Sequence, residues 1–137
     1  MADKPTPLYL SDLVTGLFAA LALREVPVLS LRDTRLDRAF AKLIDDINEQ
    51  AKKLGLTVRF RLRTHPVHGD SPQVQHALWE AAQRDLVSLD NPEYQDVRVK
   101  ITKTEAPSYL RQLPGSPQMY ETLADKLMGY YRDARTN

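Results

Sequence analysis

The residues with the most chemistry to offer gather between positions 57 and 71, "TVRFRLRTHPVHGDS". Arg59, Arg61 and Arg63 alternate there with Val58, Phe60 and Leu62, and His65, His68 and Asp70 follow closely. Three guanidiniums on one side of a strand can hold phosphates. Two imidazoles spaced H-x-x-H beside a carboxylate can begin a zinc site. Such a site needs a third and a fourth donor, and the chain offers only one more histidine, His76, and no cysteine. No metal is therefore expected, and His65 and His68 read as polar turn residues.

Other catalytic arrangements lack their sequence signatures. No G-x-S-x-G elbow presents a serine, and the absence of cysteine removes thiolate chemistry. Gly16, Gly55, Gly69, Gly115 and Gly129 are scattered, so no glycine loop cradles a phosphate. The expectation is a protein that is not an enzyme, with no cofactor and no evident small-molecule substrate.

Composition narrows the partners. The chain has 137 residues, with 19 Lys and Arg against 18 Asp and Glu. That length suits one domain with a core of its own, here expected over 1–137. A net charge of +1 creates no global field towards nucleic acid, so a basic site has to be local. The start, "MADKPTPLYL", lacks a basic region followed by a signal-length apolar run, and "LVTGLFAALAL" is too short to span a bilayer. A cytoplasmic protein with no membrane partner is expected.

Stepping outward to the elements, Pro5 and Pro7 make residues 1–10 read as an N-terminal arm. Ser11 is placed to cap a helix over 11–24 that ends before Pro27. Its apolar residues, including Leu13, Leu17, Phe18 and Leu21, wrap most of the way round the axis, so the helix needs cover on several sides. Either its own chain supplies that cover or a second copy or partner does, which makes these four residues interface candidates. A second helix over 34–54 keeps apolar residues at i, i+3, i+4 and i+7 and closes at Gly55.

The alternation at 57–63 predicts a strand with its arginines facing outward. Ser71 and Pro72 start a helix over 72–86, with Val74, Ala77, Leu78 and Ala81 inward and Trp79 at its flank. "LVSL" and "DVRVKI" predict a hairpin. Thr104 is placed to cap a short helix, and Ser116 with Pro117 opens a last helix over 117–135. In that helix Tyr130 and Tyr131 belong to the inner stripe or, at a projecting end, to a protein interface. If the strand at 57–63 pairs with 97–102, then Arg59, Arg61 and Arg63 share a face with Arg98 and Lys100. Charged outer faces are also ordinary for antiparallel sheets.

The stretch "ALWEAAQRDLVSLDNPEYQDVRVKITKTEAPSYLRQL" resembles MarR-type regulators, where a recognition helix ends in a "dLV"-like step, a polar wing follows, and a strand ending in "IT" leads to the next helix. The resemblance covers about residues 34–113 and implies a winged-helix domain. It makes 71–86 the recognition helix, 88–98 the wing and 58–62 the first strand of a small sheet. Those regulators place another helix between first strand and recognition helix, where this sequence has only "RTHPVHGD". The face turned towards DNA would carry Gln73, His76, Glu80, Gln83 and Arg84. Glutamines can read adenine, but Glu80 opposes a phosphate wall.

Together these readings predict an α+β, winged-helix-like protein with a small three-stranded antiparallel sheet and about five helices. Its expected role is a binding or assembly module for a protein partner, as a homodimer or an accessory subunit of a larger complex, through Leu13, Leu17, Phe18, Leu21, Tyr130 and Tyr131. The alternative is nucleic-acid binding through Arg59, Arg61, Arg63, Arg98 and Lys100, or through Gln73, Gln83 and Arg84.

Overall fold

The computed structural model describes residues 6–62, 71–89 and 96–134, without the side chains of Asp33 and Ala134. Arg63, His65, His68 and Asp70 lie outside the described residues, as does the wing tip at 90–95.

The most apolar helix sits at the centre. In α1 (Leu10–Leu23) every residue from 13 to 22 is buried. The helix is enclosed by α3 (Pro72–Gln83), α4 (Ala106–Gln112), α5 (Pro117–Ala134) and the strand β5 (Asp96–Val99). Its N-cap is Tyr9, whose N–H donates to the Asp12 carboxylate at 3.1 Å. Ser11, expected as the cap, lies inside the helix, where its carbonyl accepts from the Thr15 hydroxyl at 2.7 Å. Gly16 lets α5 come close, because a Cβ there would lie 2.1 Å from the Tyr120 ring. The chain itself thus covers this helix on all sides, and Leu13, Leu17, Phe18 and Leu21 are core residues, not an interface.

After the strand β2 (Val28–Ser30) and a 3-10 turn over Arg32–Thr34 comes α2 (Arg35–Leu54). Leu36, Phe40, Leu43, Ile47 and Ala51 form its buried stripe, and Gly55, at φ 69°, closes it as expected. Its entry is less relaxed. Thr34 holds φ 53° and ψ 25°, a left-handed conformation that costs a side-chain-bearing residue roughly 1–2 kcal/mol.

Two sheets organise the strands. In one, β1 (Thr6–Leu8) pairs in parallel with β3 (Leu56–Val58), Leu8 against Val58. Leu8 is buried, so from Thr6 onward the N-terminal segment is part of the fold and not an arm. In the other, β5 lies between β2 and β4 (Val87–Ser88), antiparallel to both, with Leu29 opposite Val97 and Ser88 opposite Arg98.

This changes the expected pairing. The third strand of the antiparallel sheet is Val28–Ser30, not 58–62, and both edges of β5 are taken. Val58, Phe60 and Leu62 still turn inward as half-buried residues packed on the core, which accounts for their alternation without a ladder at 60 and 62.

The two C-terminal helices carry their own caps. Before α4, the Thr102 hydroxyl accepts from Glu105 N–H at 3.1 Å while the Glu105 carboxylate accepts from Thr102 N–H at 3.1 Å. This reciprocal T-x-x-E pair at 102–105 closes the turn that leads into α4, whose N-cap position is Glu105 and not the expected Thr104. At the start of α5 the Ser116 hydroxyl accepts from Met119 N–H at 3.1 Å, as the Ser-Pro pairing predicts. The architecture is α+β, with five helices and a small three-stranded antiparallel sheet among the described residues.

Candidate interaction surface

The surface of interest is the outer side of α3, and it follows from how that helix is held. Ser71 is wholly buried, and its hydroxyl accepts from Val74 N–H at 3.4 Å. Its own N–H donates to the Asp37 carboxylate of α2 at 2.7 Å, which ties the two helix starts together. Val74, Ala77, Leu78 and Ala81 then face the core. At about 100° per residue, Trp79 lies roughly 150° from the middle of that stripe. Trp79 accordingly points outward and is 55% exposed, the most exposed of the large apolar side chains described.

Its neighbours fix the local chemistry. His76, one turn back, stacks on the indole with centroids 6.2 Å apart, and its Nε2 lies 2.6 Å from the Glu80 carboxylate. Beside Trp79 lies an open groove of about 500 Å³ that Ala82, Val87 and Leu89 line together with the polar Gln83 and Ser88. Lys100 and Asp85, which form an ion pair, line it as well. The groove therefore mixes apolar and polar lining with little net charge, the composition of an ordinary protein–protein contact surface.

The other sequence-derived residues are dispersed. Arg59 and Arg61 are exposed just after β3 of the parallel pair, while Arg98 lies in β5 of the antiparallel sheet and Lys100 just after it. Strand pairing does not gather these cations on one face, because the expected neighbour of β5 pairs elsewhere. On α3, Gln73 accepts from the Ser71 hydroxyl at 3.1 Å, and Arg84 donates to the buried Thr15 hydroxyl at 3.2 Å. Of the three candidates here for contact with nucleic acid, Gln73 is half-buried, Arg84 is exposed at the end of α3 but donates to Thr15, and Gln83 is exposed beside Trp79.

The two tyrosines serve the fold. Tyr130 donates to Asp46 at 2.6 Å, and that hydrogen bond raises the phenol's pKa above its usual value. Tyr131 accepts from Ser30 N–H at 2.7 Å, and the Arg35 guanidinium lies over its ring at 3.7 Å. Tyr131 is buried, so the pair fastens α5 to α2 and β2 and does not form a projecting patch.

Two residues of this region, Trp79 and Asp37, matter more than their place in the sequence pattern suggests. Trp79 is marked by its angle from the apolar stripe. Asp37 is marked by its place three residues before Phe40 and seven before Ile44, a carboxylate inside an apolar stripe. It is only 5% exposed and accepts from Ser71 N–H and from the Gln75 amide at 3.2 Å.

Among the described residues, no group of three or more His, Asp or Glu side chains is placed to hold a metal ion. Among them, too, no helix is long and apolar enough to cross a membrane. No protein-family model, curated protein or solved structure matches the chain.

Proposed function

We propose that the chain is a non-catalytic, winged-helix-like binding module that engages a protein partner through the outer side of α3 and the groove beside Trp79. Two features support the winged-helix reading. The order helix, strand, helix, strand, helix, strand, strand runs from α1 to β5; with β2 as first strand and β3 set aside in the separate parallel pair, α2 supplies the helix that MarR-type regulators carry between first strand and recognition helix. The sheet order places the first strand beside the last.

The observation that carries the interaction reading is Trp79, a large aromatic directed outward from an otherwise polar helix face. Tryptophan is enriched among the few residues that dominate binding energy at interfaces. The same face disfavours nucleic acid. Glu80 repels phosphate, Gln73 and Arg84 are engaged by Ser71 and Thr15, and Lys100 is neutralised by Asp85.

Trp79 is the only tryptophan, so its emission reports directly on this face. Partners co-purified from the native host are expected to shift that emission to the blue, and Trp79→Ala is expected to weaken their binding by about thirtyfold or more. A second copy as partner would show the blue shift on raising the protein concentration, alongside dimer in sedimentation. Partner binding undiminished by Trp79→Ala would overturn the assignment of this face. Tight duplex binding that falls steeply with salt and survives Trp79→Ala would replace it with nucleic-acid recognition.

A further inference from the structure

Independent of the Trp79 face, a second cavity opens where α2 starts against α3. It measures about 300 Å³ and is lined by Leu31, Thr34, Asp37, Gln75, Leu78 and Leu89. That volume lies at the small end of the range for ligand cavities, roughly 300–1,000 Å³. Three leucines make most of an apolar wall, and a nearly buried carboxylate stands among them.

Two donors to that carboxylate, Ser71 and Gln75, differ in kind. Ser71 N–H is a fixed backbone donor in a buried residue, 2.7 Å from Asp37 Oδ2. The Gln75 amide reaches the same oxygen at 3.2 Å from an exposed residue on a flexible side chain. The first bond belongs to the fold, and the second can be exchanged for another donor at little cost. A cationic donor would gain from the exchange, because hydrogen bonds to a carboxylate are strongest when the donor carries charge.

Thr34 adds a separate observation at the cavity lip. Its left-handed backbone has no glycine to ease it, and such conformations concentrate at ligand clamps and switch regions. Among the described residues, the other two side-chain-bearing ones with positive φ, Glu25 and Asp85, follow the ends of α1 and α3. Thr34 instead precedes α2 and lines the cavity.

We propose that this cavity binds a small molecule with a compact apolar body and one ammonium head. The ammonium takes the place of the Gln75 amide on Asp37, and the body lies against Leu31, Leu78 and Leu89. The site spans the start of α2, the first turns of α3 and the residue after β4, so an occupant holds α3 against α2. The proposal goes beyond the protein-interaction reading and stands or falls without it.

Three probes sharing one ring and differing in head charge test it: benzylamine, benzyl alcohol and benzoate, titrated into the full chain at neutral pH and followed by amide NMR. Benzylamine is expected to shift the amides at 34–37 and 71–78, at least tenfold more tightly than the alcohol, with benzoate leaving them in place. Asp37→Asn keeps a carbonyl acceptor for Ser71 N–H and should erase the preference for the amine. Should that variant fail to fold, Gln75→Arg decides the matter, because it sets the protein's own guanidinium on Asp37 and should weaken benzylamine at least tenfold. Equal binding of benzylamine and benzoate, shifts confined to other regions, or an unchanged affinity in Gln75→Arg would overturn the proposal.

Discussion

The helices α1 and α3 handle apolar residues in opposite ways. In α1 apolar side chains surround the axis, and the molecule responds by placing three helices and a strand around it. In α3 a narrow apolar stripe faces the core, yet the largest side chain, Trp79, sits on the other side. The amount of apolar surface in α1 goes with enclosure, whereas in α3 its direction leaves one large side chain outside. An all-round apolar helix is satisfied here by its own chain, while the outward tryptophan is the residue on which the proposed interface rests.

The largest test of that contrast compares Leu17→Ala with Trp79→Ala. Leu17 is wholly enclosed, so truncation removes buried surface and leaves a cavity, and stability should fall by about 3–5 kcal/mol. Trp79→Ala should change stability by less than about 0.5 kcal/mol, as at other surface sites. Urea unfolding of both variants measures the difference. A large loss in Trp79→Ala would mean that the indole serves the fold and would remove the basis for an interface there.

Legibility followed the range of the interactions. Ser71 with Pro72, Ser116 with Pro117 and Gly55 mark helix ends through chemistry confined to about four residues, and each does so where the sequence places it. The same locality makes the reciprocal Thr102–Glu105 turn before α4 legible, since its T-x-x-E spacing is plain in the sequence. Strand partners are set by distant residues, and there the reading diverged. The alternation marks Val58, Phe60 and Leu62, which are half-buried, but only Leu56–Val58 pairs, and its partner is Thr6–Leu8, where two prolines suggest an arm. Pro7 is tolerated because an edge strand can spare one N–H from the ladder. The enclosure of α1 was one of two open alternatives, since periodicity shows that a helix needs cover and not what provides it.

A sharper test uses two glycines on packed helices. Gly16 of α1 meets the Tyr120 ring, which is wholly buried and anchored by its hydroxyl to the Pro114 carbonyl. A methyl at Gly16 has to displace that ring, so Gly16→Ala should cost about 1–3 kcal/mol through overpacking. Gly129 of α5 has nothing within 4 Å of an added Cβ. Gly129→Ala should instead stabilise by roughly 0.5–1 kcal/mol through helix entropy. Thermal unfolding of the two variants should therefore move in opposite directions. A tolerated Gly16→Ala would show that α1 is less tightly enclosed than its neighbours imply.

The smallest effect lies where α1 comes to the surface. Arg24, just past the helix, donates to Asp125 and, at 3.1 Å, to Glu121 of α5. The hydrogen bond from Arg24 holds the Asp125 carboxyl below its usual pKa, with burial opposing it. A carboxylate with a lower pKa folded than unfolded contributes stability above its unfolded value, about 3.9, and loses it as pH falls through the folded value. Asp125 is mostly exposed, so solvent screening limits the pair to about 0.2–1 kcal/mol. Asp125→Asn should lower stability by that amount at pH 7 and by progressively less below about pH 4, where protonation has already removed the wild-type charge. The difference between the two proteins should also shrink in molar salt, which screens exposed charges over a few ångströms. Urea midpoints that differ equally at pH 7 and pH 2.5, or that ignore salt, would assign Arg24 a packing role and make the rim of α1 as insensitive to charge as its centre.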